Sequence, residues 1–319
     1  MRVLLTGNSK PWKVGAGIER ALRRAGHETL LLDDRKIKRR VGRALTQRWA
    51  LLQRRRFRPD CVLLDKCHAL ELGTVAALVR DLPNAMWYHD PAWVRQPTRP
   101  DIAHIIEVAK LAQRVFVTGF DAEWRALGVP ASFLPAAGDR DVVPVPPDPR
   151  FASPVAFIGT GYAADRAEFL QRVARHAELR VWGSGWEPWR ETLRWNGRKA
   201  EGKEFAAVCS SSGVMLGVNP QHAAGGTNWV SNRMWLTILG GGFYLGERTP
   251  GVDRLLHDGV HCAYYGDEAE CLERIGHYLA HPAERDRVRA TGEAFVREHH
   301  TFDRRIVNLL SGAAFVNPL

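Results

Sequence analysis

Long apolar runs are missing from this sequence. None approaches the roughly 18 uninterrupted apolar residues of a membrane-spanning helix, so an integral membrane protein is not expected. Cysteine is scarce as well. The five present (Cys61, Cys67, Cys209, Cys262 and Cys271) are odd in number and scattered, and none forms a CxxC pair. That pattern supports neither a disulfide framework nor a zinc site, and it points to a reducing cytoplasm, that of a bacterium or of a phage-infected cell. The opening "MRVLLTGNSK" has too short an apolar run for a signal peptide and reads as a first β-strand. Acidic residues are absent from one place in particular. Residues 35–58, "RKIKRRVGRALTQRWALLQRRRFR", hold 11 basic residues and no acid.

What is present fits two folded domains in 319 residues. Lys and Arg number 45 against 35 Asp and Glu, a formal net charge of +10. The excess lies wholly in residues 1–150, with 26 basic against 16 acidic; residues 151–319 are balanced at 19 each. The first half alternates apolar runs (2–7, 28–34, 60–66, 85–90, 114–119) with helical patterns, as in a parallel sheet covered on both faces. Pro- and Asp-rich residues 134–154 cannot hold a regular element, and the alternation restarts at "VAFIGTGYAADR". The expected architecture is therefore α/β, two Rossmann-like doubly wound domains facing across a cleft. The expected bounds are 1–140, a linker at 141–154, a second domain at 155–305, and a final helix at 306–319 crossing back to the first domain.

Ligands of such sheets bind beyond the carboxyl ends of the strands. In the second half, Gly159, Thr160 and Gly161 follow one strand, and Gly183, Gly185 and Trp186 follow the next. Glycines there can let backbone N–H groups approach a phosphate, with Arg166 adding charge and Trp186 offering a flat face to a base; tight packing alone also explains such turns. "NPQHAAGGTNWVSNRMWLTILGGGFYL" brings Asn219 and then Asn232 and Arg233 at the head of a short helix. A cation in a first helical turn is poorly placed unless an anion lies beside it. That anion is either a diphosphate or a protein carboxylate such as Glu247 or Asp253.

Together, "FIGTGYAADRAEFL", "VWGSGW", "SNRMWLTILGGGFYL", "GVDRLLHDGVHCAYYGDEAECLERIGHYLAHPAERDRVRATG" and "HHTFDRR" resemble the glycosyl transferases group 1 domain of CgeB-like (spore-maturation type) proteins, which have the GT-B fold. The resemblance implies a nucleotide-sugar donor, a UDP-sugar first, held by the second domain through Gly159, Thr160, Gly161, Arg166, Gly183, Gly185, Trp186, Asn219, Asn232 and Arg233. The acceptor falls to the first domain. It requires no metal and no cofactor; "DRD" at 139–141 lies in the Pro- and Asp-rich stretch 134–154. Many relatives carry a glutamate three residues after the arginine, where this chain has Leu236, so either another residue such as Glu247 or Asp253 takes its donor contact or the donor is held differently, which leaves retention and inversion both open. Transfer to a hydroxyl with inversion needs a base, and "WYHDP" offers Asp90, or His89 oriented by Asp90. Asp65, Lys66 and His68 stand at the edge of the preceding strand.

On the basic segment read as one helix, Lys36, Arg40, Arg43 and Gln47 share a face that Arg39 extends, and Ile37, Val41, Leu45 and Leu52 form another, expected to dock on the sheet. The outward stripe suits an anionic acceptor. DNA bearing a hydroxylated, for instance hydroxymethylated, base is the first reading, with Trp12, Trp49, Trp87 and Trp93 available to stack on bases. A surface polysaccharide or glycolipid acceptor at an anionic inner membrane face is the second. A nucleic-acid-binding protein that keeps the scaffold without catalysis is the third, supported mainly by Leu236.

Overall fold

The computed structural model describes all 319 residues as two compact units. The first unit comprises Met1–Pro135 and Phe302–Val316; the second comprises Ala136–Thr301 and Asn317–Leu319.

In the first unit the elements run β1 (Arg2–Thr6), α1 (Val14–Arg24), β2 (Glu28–Leu32), α2 (Asp34–Phe57), β3 (Cys61–Leu64), α3 (Leu72–Val79), β4 (Asn84–Tyr88), α4 (Pro100–Leu111), β5 (Val115–Val117), α5 (Asp121–Ala126) and β6 (Ala131–Phe133). All six strands pair in parallel in the order β2-β1-β3-β4-β5-β6. The second unit runs β7 (Ser153–Ile158), α6 (Ala164–Ala174), β8 (Leu179–Trp182), β9 (Arg194–Trp195), α7 (Lys203–Ser211), β10 (Ser212–Gly217), α8 (Asn232–Leu239), β11 (Tyr244–Glu247), β12 (Ala263–Tyr265), α9 (Glu268–Ala280) and α10 (Pro282–His299). Its six parallel strands lie in the order β12-β11-β10-β7-β8-β9. Both orders place β1 and β7 in the sheet interior, so the order in which strands are added reverses beside them and the loops at their carboxyl ends open at a switch point. The continuous apolar runs of β3, β4 and β5 are buried throughout, as strands covered on both faces require.

Several boundaries differ from those the sequence suggests. The edge strands β6 and β9 are new; "ASF" and "RW" are too short and too polar to stand out as apolar runs. The division between units falls at Pro135–Ala136 and not at 140, because Gly138 bridges to Thr301 and accepts residues 136–139 into the second unit. Strand β7 starts at Ser153, inside the expected linker. The last helix, α11 (Phe302–Ser311), begins four residues earlier than 306 and belongs to the first unit. There Arg24 holds Asp303 with two 2.7 Å bonds, and Phe302 meets Trp87 edge-on.

The basic segment departs furthest. Gly42, at φ 79° and ψ 174°, breaks α2 into two helical stretches, so no single face runs its length. The residues buried where α2 meets α3 and β1 are Thr46, Gln47 and Ala50. Gln47 is thereby corrected from the outward stripe to the interior, donating to the Ala69 carbonyl at 2.9 Å and accepting the Glu71 N–H at 3.0 Å. Val41, Leu45 and Leu52, expected to dock on the sheet, point to solvent instead. No helix in the protein is long and apolar enough to cross a membrane.

The Gly42 conformation is open essentially to glycine alone, and no atom lies within 4 Å of a Cβ built there. Gly42→Ala should therefore lower stability by about 1–3 kcal/mol through backbone strain alone. Urea unfolding monitored by circular dichroism checks this; an unchanged midpoint would mean that the break is not fixed by this residue.

Candidate functional site

In the second unit the loops after β7 and β8 interlock. The Gly159 N–H donates to the Trp182 carbonyl and the Gly161 N–H to the Ser184 carbonyl, both at 2.9 Å. A Cβ on Gly183, at φ 137°, would lie 1.7 Å from the Gly159 carbonyl oxygen. These glycines serve loop-to-loop approach, and the N–H groups of Gly159, Gly161 and Gly183 are already spent on carbonyls, the last on Arg198. The expectation that they cradle a phosphate is corrected on that ground. Trp186 is corrected too. Its ring is wholly buried edge-on to Phe157 at 5.8 Å, and its indole N–H is held by the Gly159 carbonyl at 2.8 Å. The exposed aromatic at these loops is Tyr162, whose ring lies against Gly185. An aromatic one loop earlier than the expected one offered no periodicity by which to find it.

What the loops frame is a pair of guanidinium groups. Arg166, from the first turn of α6, and Arg233, from the first turn of α8, both lie over the Phe157 ring, at 5.8 and 4.5 Å from its centre. Gly159 makes room for this: a Cβ there would sit 2.9 Å from Arg233 Nη2. Arg166 donates to the Thr160 carbonyl at 2.9 Å, and Arg233 to the Val218 carbonyl at 3.4 Å. Neither forms an ion pair. Glu247 instead accepts the Asn219 N–H at 3.3 Å, its carboxyl pushed up by burial, and Asp253 is tied to Arg248 at 2.8 Å. Burial and the Arg233 charge together pull the Arg166 guanidinium down to about 9, and burial lowers Arg233 as well. Asp165 opposes this fall in Arg166 without forming a salt bridge, and two cations set into protein beside one another without an ion pair are costly unless an anion joins them. Ser231 caps α8 by accepting the Arg233 N–H at 3.3 Å, and the Asn232 Oδ1 beside it is buried without a partner.

In the first unit, Asp90 follows β4 and Lys66 follows β3, and the Lys66 ammonium bonds the Asp90 carboxylate. Burial would push the Asp90 carboxyl up, but the Lys66 charge outweighs it and holds the group below its ordinary range. Lys66 and Cys67 both adopt left-handed backbone, at φ 44° and 48°. That conformation costs a non-glycine residue about 1–2 kcal/mol, so two in succession mark a place where local stability is surrendered. His89 is corrected as a base. Both ring nitrogens are sealed from solvent, its ring packs on Trp87 at 4.1 Å, and burial followed by Lys66 pushes its pKa down to about 3. Asp65 is buried, lines a small cavity with Leu5, Leu63, Ala85 and Trp87, and has an Oδ1 that accepts no hydrogen bond. His68, also desolvated, is pushed down to about 4.

Among the acceptor-side residues, Lys36, Arg39, Arg40 and Arg43 are exposed, and Arg43 pairs with Glu71 at 3.2 Å. Trp12 is exposed, whereas Trp93 carries the Arg99 guanidinium on its ring at 4.2 Å. Trp87 is corrected as a stacking residue, being buried with its N–H on the Leu134 carbonyl. In the "DRD" stretch, Asp139 turns its carboxylate onto the Asp141 N–H at 3.1 Å.

Comparison with known proteins bears on this geometry. Residues 166–311, a little under half of the chain, match the family described as glycosyl transferase-like. The match opens at Arg166 itself. Among solved structures, Anabaena HepE in complex with UDP-glucose superposes with a TM-score of 0.69 at 11% identity, covering 98% of this chain and 100% of that one. Sucrose-phosphate synthase from Thermosynechococcus elongatus gives a TM-score of 0.69 at 11% identity, with 98% of each chain covered. An α-glucosyltransferase in complex with UDP and a 13-mer DNA containing an HMU base gives 0.63 at 11% identity, covering 98% and 99%. The fold is GT-B. No curated protein matches the chain significantly.

Burial raises the Asp65 carboxyl to about 7, with Asp90 and Asp34 adding to the rise and Lys66 opposing it. A carboxyl whose folded value lies above its ordinary 3.8 contributes stability at low pH that is lost as pH rises through about 7. Melting temperature should thus fall across that window, and Asp65→Asn should flatten the fall. A profile that keeps its slope in the variant would show that Asp65 ionises freely.

Proposed function

We propose that the protein is a glycosyltransferase that moves a sugar from a nucleotide-sugar donor, a UDP-sugar, to an acceptor hydroxyl. The observation that carries this reading is the pair Arg166 and Arg233, gathered over Phe157 at helix starts with no salt bridge to either, Asp165 alone among the carboxylates easing the Arg166 charge. A diphosphate supplies the missing negative charge, and its departure as the sugar bond breaks is eased by the same two groups. The glycosyl transferase-like match and the UDP or UDP-glucose bound by structural neighbours support the donor class. In this reading Tyr162 offers the exposed ring for the base. Asn219 and Asn232 supply polar contacts, with Glu247 standing in for the acid absent at Leu236.

The acceptor side falls to Asp90. Lys66 keeps its carboxylate ionised, ready to take the hydroxyl proton as the oxygen attacks the anomeric carbon and the bond to the diphosphate breaks. Because the carboxylate is weakly basic, that proton passes only as the new bond forms. Lys66 is a positioning residue here.

A second reading specifies the acceptor as a hydroxymethylated base in DNA. It is favoured by the exposed Lys36, Arg39 and Arg40 and by the likeness to the α-glucosyltransferase bound to DNA. A surface glycan or glycolipid acceptor answers the same charge. The reading of a scaffold without catalysis is disfavoured by the two unneutralised arginines, which a protein without a donor has no use for.

One experiment addresses donor and acceptor together. Labelled UDP-glucose is incubated with the protein, with hydroxymethylated duplex DNA and with lipid extract, followed by mass spectrometry for added hexose. Hydrolysis or transfer is expected, lost in Arg233→Ala and reduced about 100-fold or more in Asp90→Asn, as for removal of a general base. Unchanged turnover in Arg233→Ala would defeat the donor assignment, and hexose on neither acceptor would overturn the DNA and glycolipid readings.

A further inference from the structure

The outward side of α2 is not merely basic. Val41, Leu45 and Leu52 expose 43%, 53% and 42% of their surface. In the stretch after Gly42, helical spacing puts Leu45, Arg48, Trp49, Leu52, Arg55 and Arg56 on one side, opposite the buried Thr46 and Ala50. Arg48, Arg55 and Arg56 are exposed, and Trp49 is half-buried at the base of the ridge. Single exposed apolar residues need no explanation. An apolar ridge bordered by arginines on an element without acidic residues between 35 and 58 does need one.

Charge alone would be met by any polyanion. A nucleic acid backbone offers phosphates to the arginines, but it meets leucines on the crest between them only where a groove is entered and bases are reached. The boundary between headgroups and acyl chains of a bilayer offers both, since aliphatic side chains sink into it while guanidinium groups stay with the lipid phosphates. We infer that α2 lays this protein on an anionic lipid bilayer, with Leu45, Trp49 and Leu52 entering the interface and Arg48, Arg55 and Arg56 on the headgroups. The partner is the lipid surface, and α2 lies along it without crossing. This inference is independent of the donor site. Where the proposed transfer also holds, it specifies the acceptor as a hydroxyl borne at a membrane, and so decides against DNA.

Flotation of the intact protein with vesicles tests it, using pure phosphatidylcholine and an equal mixture with phosphatidylglycerol. The protein should float with the mixed vesicles and not with phosphatidylcholine alone, and binding should weaken as salt rises. Leu45→Asn with Leu52→Asn, both at exposed positions, should weaken vesicle binding about tenfold while the far-ultraviolet dichroism is unchanged. Arg55→Glu with Arg56→Glu should abolish it, and Arg233→Ala should leave it intact, so that loss of the donor reading is told apart from loss of this one. Failure to float with the mixed vesicles overturns the inference. So does vesicle binding indifferent to the leucine pair, or tight binding of duplex DNA by a protein that ignores vesicles.

Discussion

Two guanidinium groups without a salt bridge, set over one phenylalanine ring, are the constraint on which the second unit is arranged. Placing two cations side by side in protein works against folding, and the local structure is shaped to tolerate it. Phe157 offers the negative face of its ring to both, and the Thr160 and Val218 carbonyls take N–H bonds from each. Glycine at 159 leaves the gap through which Arg233 reaches. Asp165, the carboxylate whose charge reaches Arg166, accepts the Gln221 N–H, while Glu247 accepts the Asn219 N–H and Asp253 pairs with Arg248.

The interlocked loops after β7 and β8 serve that pair. Because the Gly159, Gly161 and Gly183 N–H groups are bound to carbonyls, the loops form a stiff frame and contribute no free donors of their own at these positions. Charge recognition therefore falls to side chains, where a lone glycine motif suggests backbone. In the first unit, strained backbone at Lys66 and Cys67 brings an ammonium onto Asp90, so the acid is ionised by its neighbour and not by water alone.

Much of the fold was legible in the sequence. The short continuous apolar runs of β1, β3, β7 and β10 and the helical patterns between them are plain in the residues, and the Ser231 cap and the helix from Asn232 follow from residue types alone. Short edge strands such as Arg194–Trp195 left no such signal, because their place is fixed by a neighbouring strand. At the site, Arg233 stands out because a cation in a first helical turn is unusual, and Arg166 because it follows a glycine turn at a strand end. The burial of Trp186 and His89 does not, since an aromatic beside a turn looks the same whether its ring faces ligand or core. The basic segment misled for a definite reason: a helical wheel drawn through Gly42 assumes continuity that a left-handed glycine removes.

The central claim is that the Arg233 charge is held at a cost to the fold for the sake of an anion. Thermal unfolding of the protein and of Arg233→Gln, each with and without UDP, measures this directly. The account predicts that without UDP the variant melts no lower than the parent, and that UDP raises the melting temperature of the parent alone. A variant that is markedly less stable without ligand, yet still stabilised by UDP, would show that the guanidinium belongs to the architecture and would contradict the account.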